Sequence, residues 1–188
     1  MQETRRVRMT KKMIKDAYIE LLERNPSKRL SITDICHVAD INRSTFYMHY
    51  EDVNQLVTEI EDDLLDCIPY PQNITGALSD SEQYVALLEK TFEYIYENKK
   101  YFSIVFVHFE NTNFQKRIAQ TILTRYKSIA ISNNTLMTKY GFVFCINGVV
   151  GLIKEWIIGD FPMSSREFAK IVLQFCVKAT DFKQTNLS

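Results

Sequence analysis

Apolar residues recur at steps of three and four along most of this 188-residue chain, and this periodicity is the feature that most constrains its fold. The clearest stripe lies in the fourth helical stretch and consists of Val53, Leu56, Val57, Ile60, Leu64 and Ile68. Such spacing is typical of an amphipathic α-helix with one buried face. With only 5 Gly and 4 Pro, the chain lacks the turn residues of an all-β fold. We therefore expect an all-α protein.

Caps and breakers divide the chain into about nine helices. The first is expected over 10–24, and a capping box of Ser31 and Asp34 starts the second. Asp52 caps the fourth helix, and Ser164 with Glu167 caps the last. The expected ranges of the other helices are 43–50, 81–98, 100–109, 112–132 and 136–158.

The charge of the chain is unevenly distributed, although its formal net charge is +0. Residues 1–50 carry ten Lys or Arg against six Asp or Glu, whereas residues 51–70 carry seven acids and no base. A basic N-terminus suits a phosphate backbone, although solvation alone would also explain it. The acids Glu59, Glu61, Asp62 and Asp63 are expected on the solvated face of the fourth helix.

Motifs and composition argue against catalysis, metal binding and membrane insertion. The sequence contains no GxSxG, Gly-rich phosphate loop or HExxH, so we expect no enzyme activity and no cofactor. Its cysteines have no CxxC spacing and no neighbouring histidine cluster, which predicts free thiols and no metal site. The apolar stretch 142–158 is interrupted by Asn147, Lys154 and Glu155, so we expect no membrane span and a cytoplasmic protein.

Residues 30–56 have the pattern of two short helices joined by a tight turn. The turn is Asp40-Ile41-Asn42, and Asp and Asn tolerate left-handed backbone geometry better than other non-glycine residues. The second of the two helices then reads Arg43-Ser44-Thr45-Phe46-Tyr47-Met48-His49-Tyr50. Phe46 and Tyr50 are expected to face inward, which leaves the polar side chains outside. A helix in the DNA major groove needs such short donors for base edges and longer donors for phosphates.

One N-terminal helix, a helix-turn-helix ending in STFYMHY and a capped fourth helix together resemble the TetR/AcrR family of transcriptional regulators. The resemblance covers roughly residues 8–68. It implies a sequence-specific DNA-binding regulator, most simply a repressor. The implied organisation is a DNA-binding domain over 1–50, a connecting helix over 51–71 and a C-terminal regulatory and dimerisation domain over 72–188.

The resemblance also implies roles for individual side chains. Those expected to read bases are Arg43, Ser44 and Met48. Those expected to hold phosphates are Thr33, Thr45, Tyr47 and His49. The basic N-terminal residues Arg8, Lys11 and Lys12 are expected to do the same. Two positions depart from the family pattern, which usually has Gly at Asp40 and a phosphate-binding Lys at Val53. We therefore expect a somewhat strained turn and a weak DNA contact at the start of the fourth helix.

The last two helices are strongly apolar, and residues 148–156 (GVVGLIKEW) resemble one C-terminal subtype of the same family. In that subtype these helices pair with their copies in a four-helix interface. The excess of apolar surface favours a homodimer independently. The residues expected at its interface are Gly148, Gly151, Leu152, Trp156, Phe168, Ile171 and Phe175. A two-fold dimer would place its recognition helices about 34–36 Å apart, or a small multiple, on a palindromic double-stranded operator.

The aromatic middle of the chain is compatible with a pocket for a small apolar effector or with a tightly packed core. The candidate pocket residues are Phe102, Phe106, His108 and Tyr126. Two alternatives stay open at this point. The C-terminal half could dock a partner protein in place of a small ligand, or the chain could be an all-α interaction protein that has lost DNA binding.

Overall fold

The computed structural model describes residues 4–25, 30–69, 82–107, 114–125 and 136–180. Within these ranges the protein is all-α, with nine helices and no strand. The helices are α1 (Arg5–Arg24), α2 (Ile32–Val38), α3 (Arg43–Tyr47), α4 (Val53–Asp66), α5 (Glu82–Glu97), α6 (Lys99–Val107), α7 (Phe114–Arg125), α8 (Leu136–Ile158) and α9 (Ser165–Thr180). The predicted fold class is confirmed.

Two helix ends near the N-terminus differ from the prediction. α1 begins at Arg5 and not at Thr10, because the Thr4 hydroxyl caps it by accepting a hydrogen bond from the Val7 amide at 3.4 Å. The first turn of α1 is mostly basic, so apolar periodicity could not mark it. α3 ends at Tyr47 and not at Tyr50, since the chain leaves the helix after Met48, its C-cap.

A continuous hydrophobic core runs from the first three helices into the rest of the protein. Phe46 and Tyr50 are 0% and 1% exposed, as predicted for an inward face, and their ring centroids lie 5.7 Å apart. They pack with α1 and with the buried stripe of α4. The stripe of α4 then continues toward α6 and α7. The helix-turn-helix is therefore anchored on the same core as the C-terminal helices.

One side of α4 is tied to α7 through a buried carboxylate. Glu61 is 5% exposed, and its Oε2 accepts a hydrogen bond from Arg117 Nη1 at 2.5 Å. The other guanidinium nitrogen, Nη2, donates to Asp62. Burial together with the charge of Glu61 raises the pKa of the nearby Tyr18 hydroxyl to about 12, so this phenol keeps its proton. The prediction of a solvated face is therefore wrong for Glu61, whereas Asp62 is exposed as predicted.

The other side of α4 is tied to α1 through lysines. Glu59 accepts from Lys11 at 3.1 Å and from Lys15 at 2.7 Å. Lys15 also reaches Asp63 at 2.5 Å. The prediction of a solvated position therefore fails for Glu59, whose side chain is 29% exposed, whereas the Asp63 side chain is 61% exposed as predicted. Pairs such as Lys11–Glu59, separated by 48 residues, leave no local signal in a sequence.

α8 and α9 pack against each other around an aromatic cluster. The rings of Trp156 and Phe168 are stacked, with centroids 4.6 Å apart, and Phe92 and Phe161 close the cluster. The Trp156 indole Nε1 donates to the carbonyl oxygen of Met163 at 3.1 Å, which fixes the loop before α9. Trp156 and Phe168 are only 3% and 4% exposed. Their prediction as dimer contacts is wrong, because they belong to the core of the protomer.

The long helix α8 has the length and composition of a membrane span over Tyr140–Ile158, contrary to the expectation drawn from the sequence. However, 44% of this stretch is buried inside the protein. It packs against α6, α7 and α9. Core helices of soluble proteins meet the same length and composition criteria, so this feature is weak evidence for a membrane.

The aromatic cluster generates the first prediction. Trp156→Ala should lower the free energy of unfolding by about 3–5 kcal/mol, as expected when a large buried aromatic side chain is removed. Urea unfolding followed by circular dichroism would measure it. Met48→Ala is the control, because a side chain 79% exposed should change stability by less than about 0.5 kcal/mol. Equal effects of the two substitutions would contradict the placement of Trp156.

Candidate nucleic-acid interface

The turn between α2 and α3 is built on a left-handed residue. Asp40 has φ 51°, a conformation that Gly adopts with less strain. The Ile41 amide donates to the Cys36 carbonyl at 3.0 Å, and the Asp40 amide donates to the His37 carbonyl at 3.4 Å. This pair of hydrogen bonds is a Schellman motif, which ends a helix and reverses the chain. The strained turn expected from Asp40 is observed.

Asn42 organises the first turn of α3. Its Oδ1 accepts hydrogen bonds from the Thr45 amide at 2.8 Å, the Thr45 hydroxyl at 2.8 Å and the Ser44 hydroxyl at 2.6 Å. Asn42 was predicted only as a turn residue, and its capping role was not predicted. Its position directly before the helix was the available signal, because Asn is among the preferred N-cap residues.

The outer side of α3 and of the turn after it carries most of the side chains predicted to contact DNA. Tyr47 is 57% exposed and Met48 79%, while His49 is half-buried. Arg43 is exposed, and its guanidinium donates to the hydroxyl of Thr33 on α2. The fold thus brings a predicted base reader beside a predicted phosphate ligand. A neutral hydroxyl is a weak partner for a guanidinium, so phosphate or guanine could replace it.

The three basic residues predicted from α1 have different surroundings. Arg8 is exposed, and Lys12 is exposed beside Asp16 on the same helix, with a nitrogen–oxygen distance of 2.5 Å. The Lys11 side chain is only 21% exposed and is paired with Glu59. The structure therefore contradicts Lys11 as a free phosphate ligand, since its charge is directed toward α4.

The carboxyl group of Glu59 is held ionised by its neighbours. Burial alone would raise its pKa, but hydrogen bonds from Lys15 and Lys11 outweigh that effect and lower the pKa below its ordinary value. The Tyr50 hydroxyl lies 3.4 Å from the same carboxylate. Because Tyr50 follows α3 directly, the charge cluster at Glu59 connects the end of the helix-turn-helix to α1 and α4.

The predicted effector residues fall in two groups. Phe102 and Phe106 are fully buried and pack as a cluster with Tyr94 and Phe114. His108 and Tyr126 lie outside the described residues. A cleft of about 620 Å³ opens between α1, α4, α5 and α6, but neither phenylalanine lines it, and its walls carry charged groups such as Lys15 and Asp63. In the described part of the chain, no group of three His, Cys, Asp or Glu residues could hold a metal ion.

A second exposed surface runs along α8 and α9. The residues of α8 that face outward include Tyr140, Val143, Phe144, Gly148, Gly151 and Ile158. Phe144 is 71% exposed, and Phe175 on α9 is 58% exposed. Ile171 is also exposed, whereas Leu152 is half-buried. A Cβ atom added at Gly148 or Gly151 would meet nothing within 4 Å, so the backbone of α8 is open there. We call the outward-facing residues of α8 named above, together with Ile171 and Phe175 of α9, the apolar face.

Comparison with known proteins agrees with this architecture. Residues 82–178, just over half of the chain, match the family model of the TetR transcriptional regulator C-terminal region. The chain therefore belongs to the TetR family of transcriptional regulators, whose members are DNA-binding proteins that typically act as dimers. No curated protein matches the chain at a significant level.

Several solved structures share the fold of this chain. A TetR regulator from Streptococcus agalactiae is 20% identical with a TM-score of 0.66, over 92% of this chain and 96% of its own. A putative TetR-family regulator from Syntrophomonas wolfei is 14% identical with a TM-score of 0.67, over 95% and 99%. The dihydroxyacetone kinase operon activator DhaS is 20% identical with a TM-score of 0.60, over 90% and 94%. At these identities the likeness concerns the fold.

The charge cluster at Glu59 generates a prediction on pH. The folded state holds this carboxyl at a lowered pKa, so its contribution to stability is present above the unfolded value of about 4.3 and is lost as the pH falls through the folded pKa. Glu59→Gln should therefore be less stable than the parent protein at pH 7 by about 1 kcal/mol. The difference should shrink as the pH approaches about 4.

Urea titrations at several pH values would test this expectation. The matched control is Glu93→Gln, an exposed carboxyl on α5, which should change stability little at any pH. A difference between Glu59→Gln and the parent that stays constant from neutral to acidic pH would show that the charge of Glu59 does not stabilise the folded protein.

Proposed function

We propose that this protein is a sequence-specific regulator of transcription, and specifically a cytoplasmic repressor that binds a palindromic operator as a homodimer. The observation that carries the proposal is the two-sided arrangement of α3 and the turn after it. Phe46 and Tyr50 anchor this segment in the core, while Arg43, Tyr47 and Met48 stand exposed on the outer side. Large exposed side chains on a rigidly anchored helix-turn-helix are suited to the major groove.

In this proposal the exposed residues divide into two roles. Arg43, Ser44 and Met48 contact base edges, where side chains can distinguish base pairs. Phosphates are bound by Thr33, Thr45, Tyr47 and His49, with Arg8 and Lys12 on α1. Lys11 is left out because Glu59 engages it. We assign its place among the basic residues of α1 to Arg5 and Arg6, which are exposed in the first turn.

The apolar face supports the proposed homodimer. Phe144 and Phe175 expose large rings, and the open backbone at Gly148 and Gly151 lets a second copy approach α8 closely. A two-fold axis through this face would bring α8 and α9 of both protomers into one four-helix contact. The two recognition helices would then be related by the same axis, which is why the operator should be palindromic.

Control of DNA binding is proposed to pass through α4. Arg117 on α7 forms ion pairs with Glu61 and Asp62 of α4. On α1, Lys11 pairs with Glu59, and Lys15 pairs with Glu59 and Asp63. A small apolar ligand or a partner protein that shifts α7 would move α4 and, through it, the recognition helices. Such an effector must bind the two arrangements with different affinity.

Repression is preferred to activation on mechanical grounds. A dimer seated on a promoter needs only DNA binding to obstruct transcription, whereas activation needs an additional favourable contact. The name of the structurally similar DhaS describes it as an operon activator, so activation is the alternative for this chain. In that case the apolar face, or another surface of helices α5 to α9, would also have to bind a partner protein.

Substitutions in the recognition helix test the proposed roles. Tyr47→Phe should weaken binding to every duplex alike by about 1 kcal/mol, because a phosphate hydrogen bond carries no sequence information. Arg43→Ala should cost about 1–3 kcal/mol and relax the preference at one base pair of each half-site. Fluorescence anisotropy with a duplex from the chain's own promoter region and a scrambled duplex, each at several salt concentrations, would measure both effects.

Tyr96→Phe is the matched control for the tyrosine substitution, since Tyr96 is 48% exposed but lies on α5, outside the helix-turn-helix. It should leave DNA affinity unchanged. An Arg43→Ala variant with intact base preference and a shallower salt dependence would make Arg43 a phosphate ligand. Salt-independent or absent binding of the parent protein to DNA would remove the proposed function itself.

Charged substitutions on the apolar face test the homodimer. Phe144→Asp and Phe175→Asp should each give monomers in sedimentation velocity, because two-fold symmetry places every substitution in the interface twice. Met9→Asp is the control, since Met9 is 58% exposed on α1, outside the apolar face. Circular dichroism should show unchanged helix content for all three. Dimers that persist in both phenylalanine variants would place the interface elsewhere.

A further inference from the structure

Two thiols meet between α8 and α9, directly behind the apolar face. Cys145 on α8 is 6% exposed, and Cys176 on α9 is half-buried. The Cys145 Sγ lies 3.8 Å from the carbonyl oxygen of Cys176. Each thiol also shifts the pKa of the other, which agrees with their closeness. The proposed DNA-binding function assigns no role to either thiol.

We propose that Cys145 and Cys176 form an oxidisable dithiol, which hydrogen peroxide converts into an intramolecular disulfide that joins α8 to α9. The 3.8 Å approach of the Cys145 sulfur to the backbone of Cys176 carries this inference, because a disulfide forms only between cysteines that lie close together on facing elements. The other two cysteines lack such a neighbour. Cys36 is buried on α2 of the helix-turn-helix, and Cys67 is exposed at the end of α4.

The reaction needs one equivalent of peroxide and no other reagent. The Cys145 thiol loses its proton, and the resulting thiolate attacks one peroxide oxygen and breaks the O–O bond. The departing hydroxide takes a proton to become water, and Cys145 is left as a sulfenic acid. The Cys176 sulfur then attacks that sulfur and gives up its proton, the S–S bond forms, and the hydroxide that leaves takes up that proton to become a second water. Two electrons pass from the thiol pair to the peroxide.

The surroundings favour Cys145 as the first nucleophile. Its hydrogen bond with Cys176 lowers the pKa of the Cys145 thiol, although burial acts in the opposite direction. The same hydrogen bond and burial raise the pKa of Cys176. The thiolate is the reactive form toward peroxide, and Cys176 beside it is only half-buried in the protomer.

Peptide mapping of the full-length Cys67→Ser protein tests the proposal, since that substitution removes the exposed thiol and its intermolecular reactions. Trypsin releases Cys145 in peptide 140–154 and Cys176 in peptide 171–178. After mild peroxide treatment of the native protein, we expect these two peptides to appear linked. Two of the three remaining thiols should be lost, and dithiothreitol should restore both.

The same treatment in urea supplies the comparison. There the shorter loop still favours the 145–176 link, but links from Cys36 to either partner should also form, whereas the native protein should give the 145–176 link almost alone. Cys145→Ser and Cys145→Ala, each checked for helix content, should both abolish the linked product. A native protein that gives the same mixture as in urea, or separate sulfinic acids without the linked peptide, would overturn the proposal. DNA binding is not measured in this experiment, so its outcome is independent of the proposed function.

Discussion

The paired carboxylates of α4 are the interaction on which the rest of the structure depends. Glu61 is almost wholly buried, and an isolated carboxylate at such a site would be strongly unfavourable. Arg117 compensates for this by reaching across from α7, although Glu61 Oε1 finds no hydrogen-bond partner among the described residues. Breaking such a pair by removing one partner typically costs about 3–5 kcal/mol. The position of α4 relative to α7 is therefore tightly specified.

The same pairing changes how the charge of the chain should be understood. Residues 51–70 hold seven acids and no base, which by itself would repel a phosphate backbone close to the helix-turn-helix. In the folded protein Glu59 and Asp63 are matched by lysines of α1, and Glu61 and Asp62 by Arg117. The acids that remain at the edge of the recognition helix are Glu51 and Asp52, and Asp52 accepts the Gln55 amide as the cap of α4. Four of the seven acids therefore form ion pairs that join α4 to α1 or to α7.

Local signals in the sequence predicted the helices well, and non-local contacts limited the prediction of the sites. The cap of α9 was visible as Ser164 followed by Glu167, and its hydrogen bonds are present in the structure. The faces of α8 were not visible, because this helix is apolar nearly all around and its periodicity does not distinguish Trp156 from Phe144. Only the packing of α5 and α9 decides which ring is buried. The partner of Lys11 was hidden for the same reason, being on a helix far along the chain.

The hydrogen bonds of Asn42 have a consequence for base identity. In the structure Ser44 gives its hydroxyl proton to Asn42 Oδ1, so its oxygen is left with lone pairs only. While that bond persists, Ser44 placed against a base edge can accept but cannot donate. The groups in the major groove that offer a proton are the exocyclic amines of cytosine and adenine. In the base-reading role proposed for Ser44, an unbound α3 with this cap therefore favours C or A at the opposite position. Reading G or T there would require Ser44 to break its hydrogen bond with Asn42.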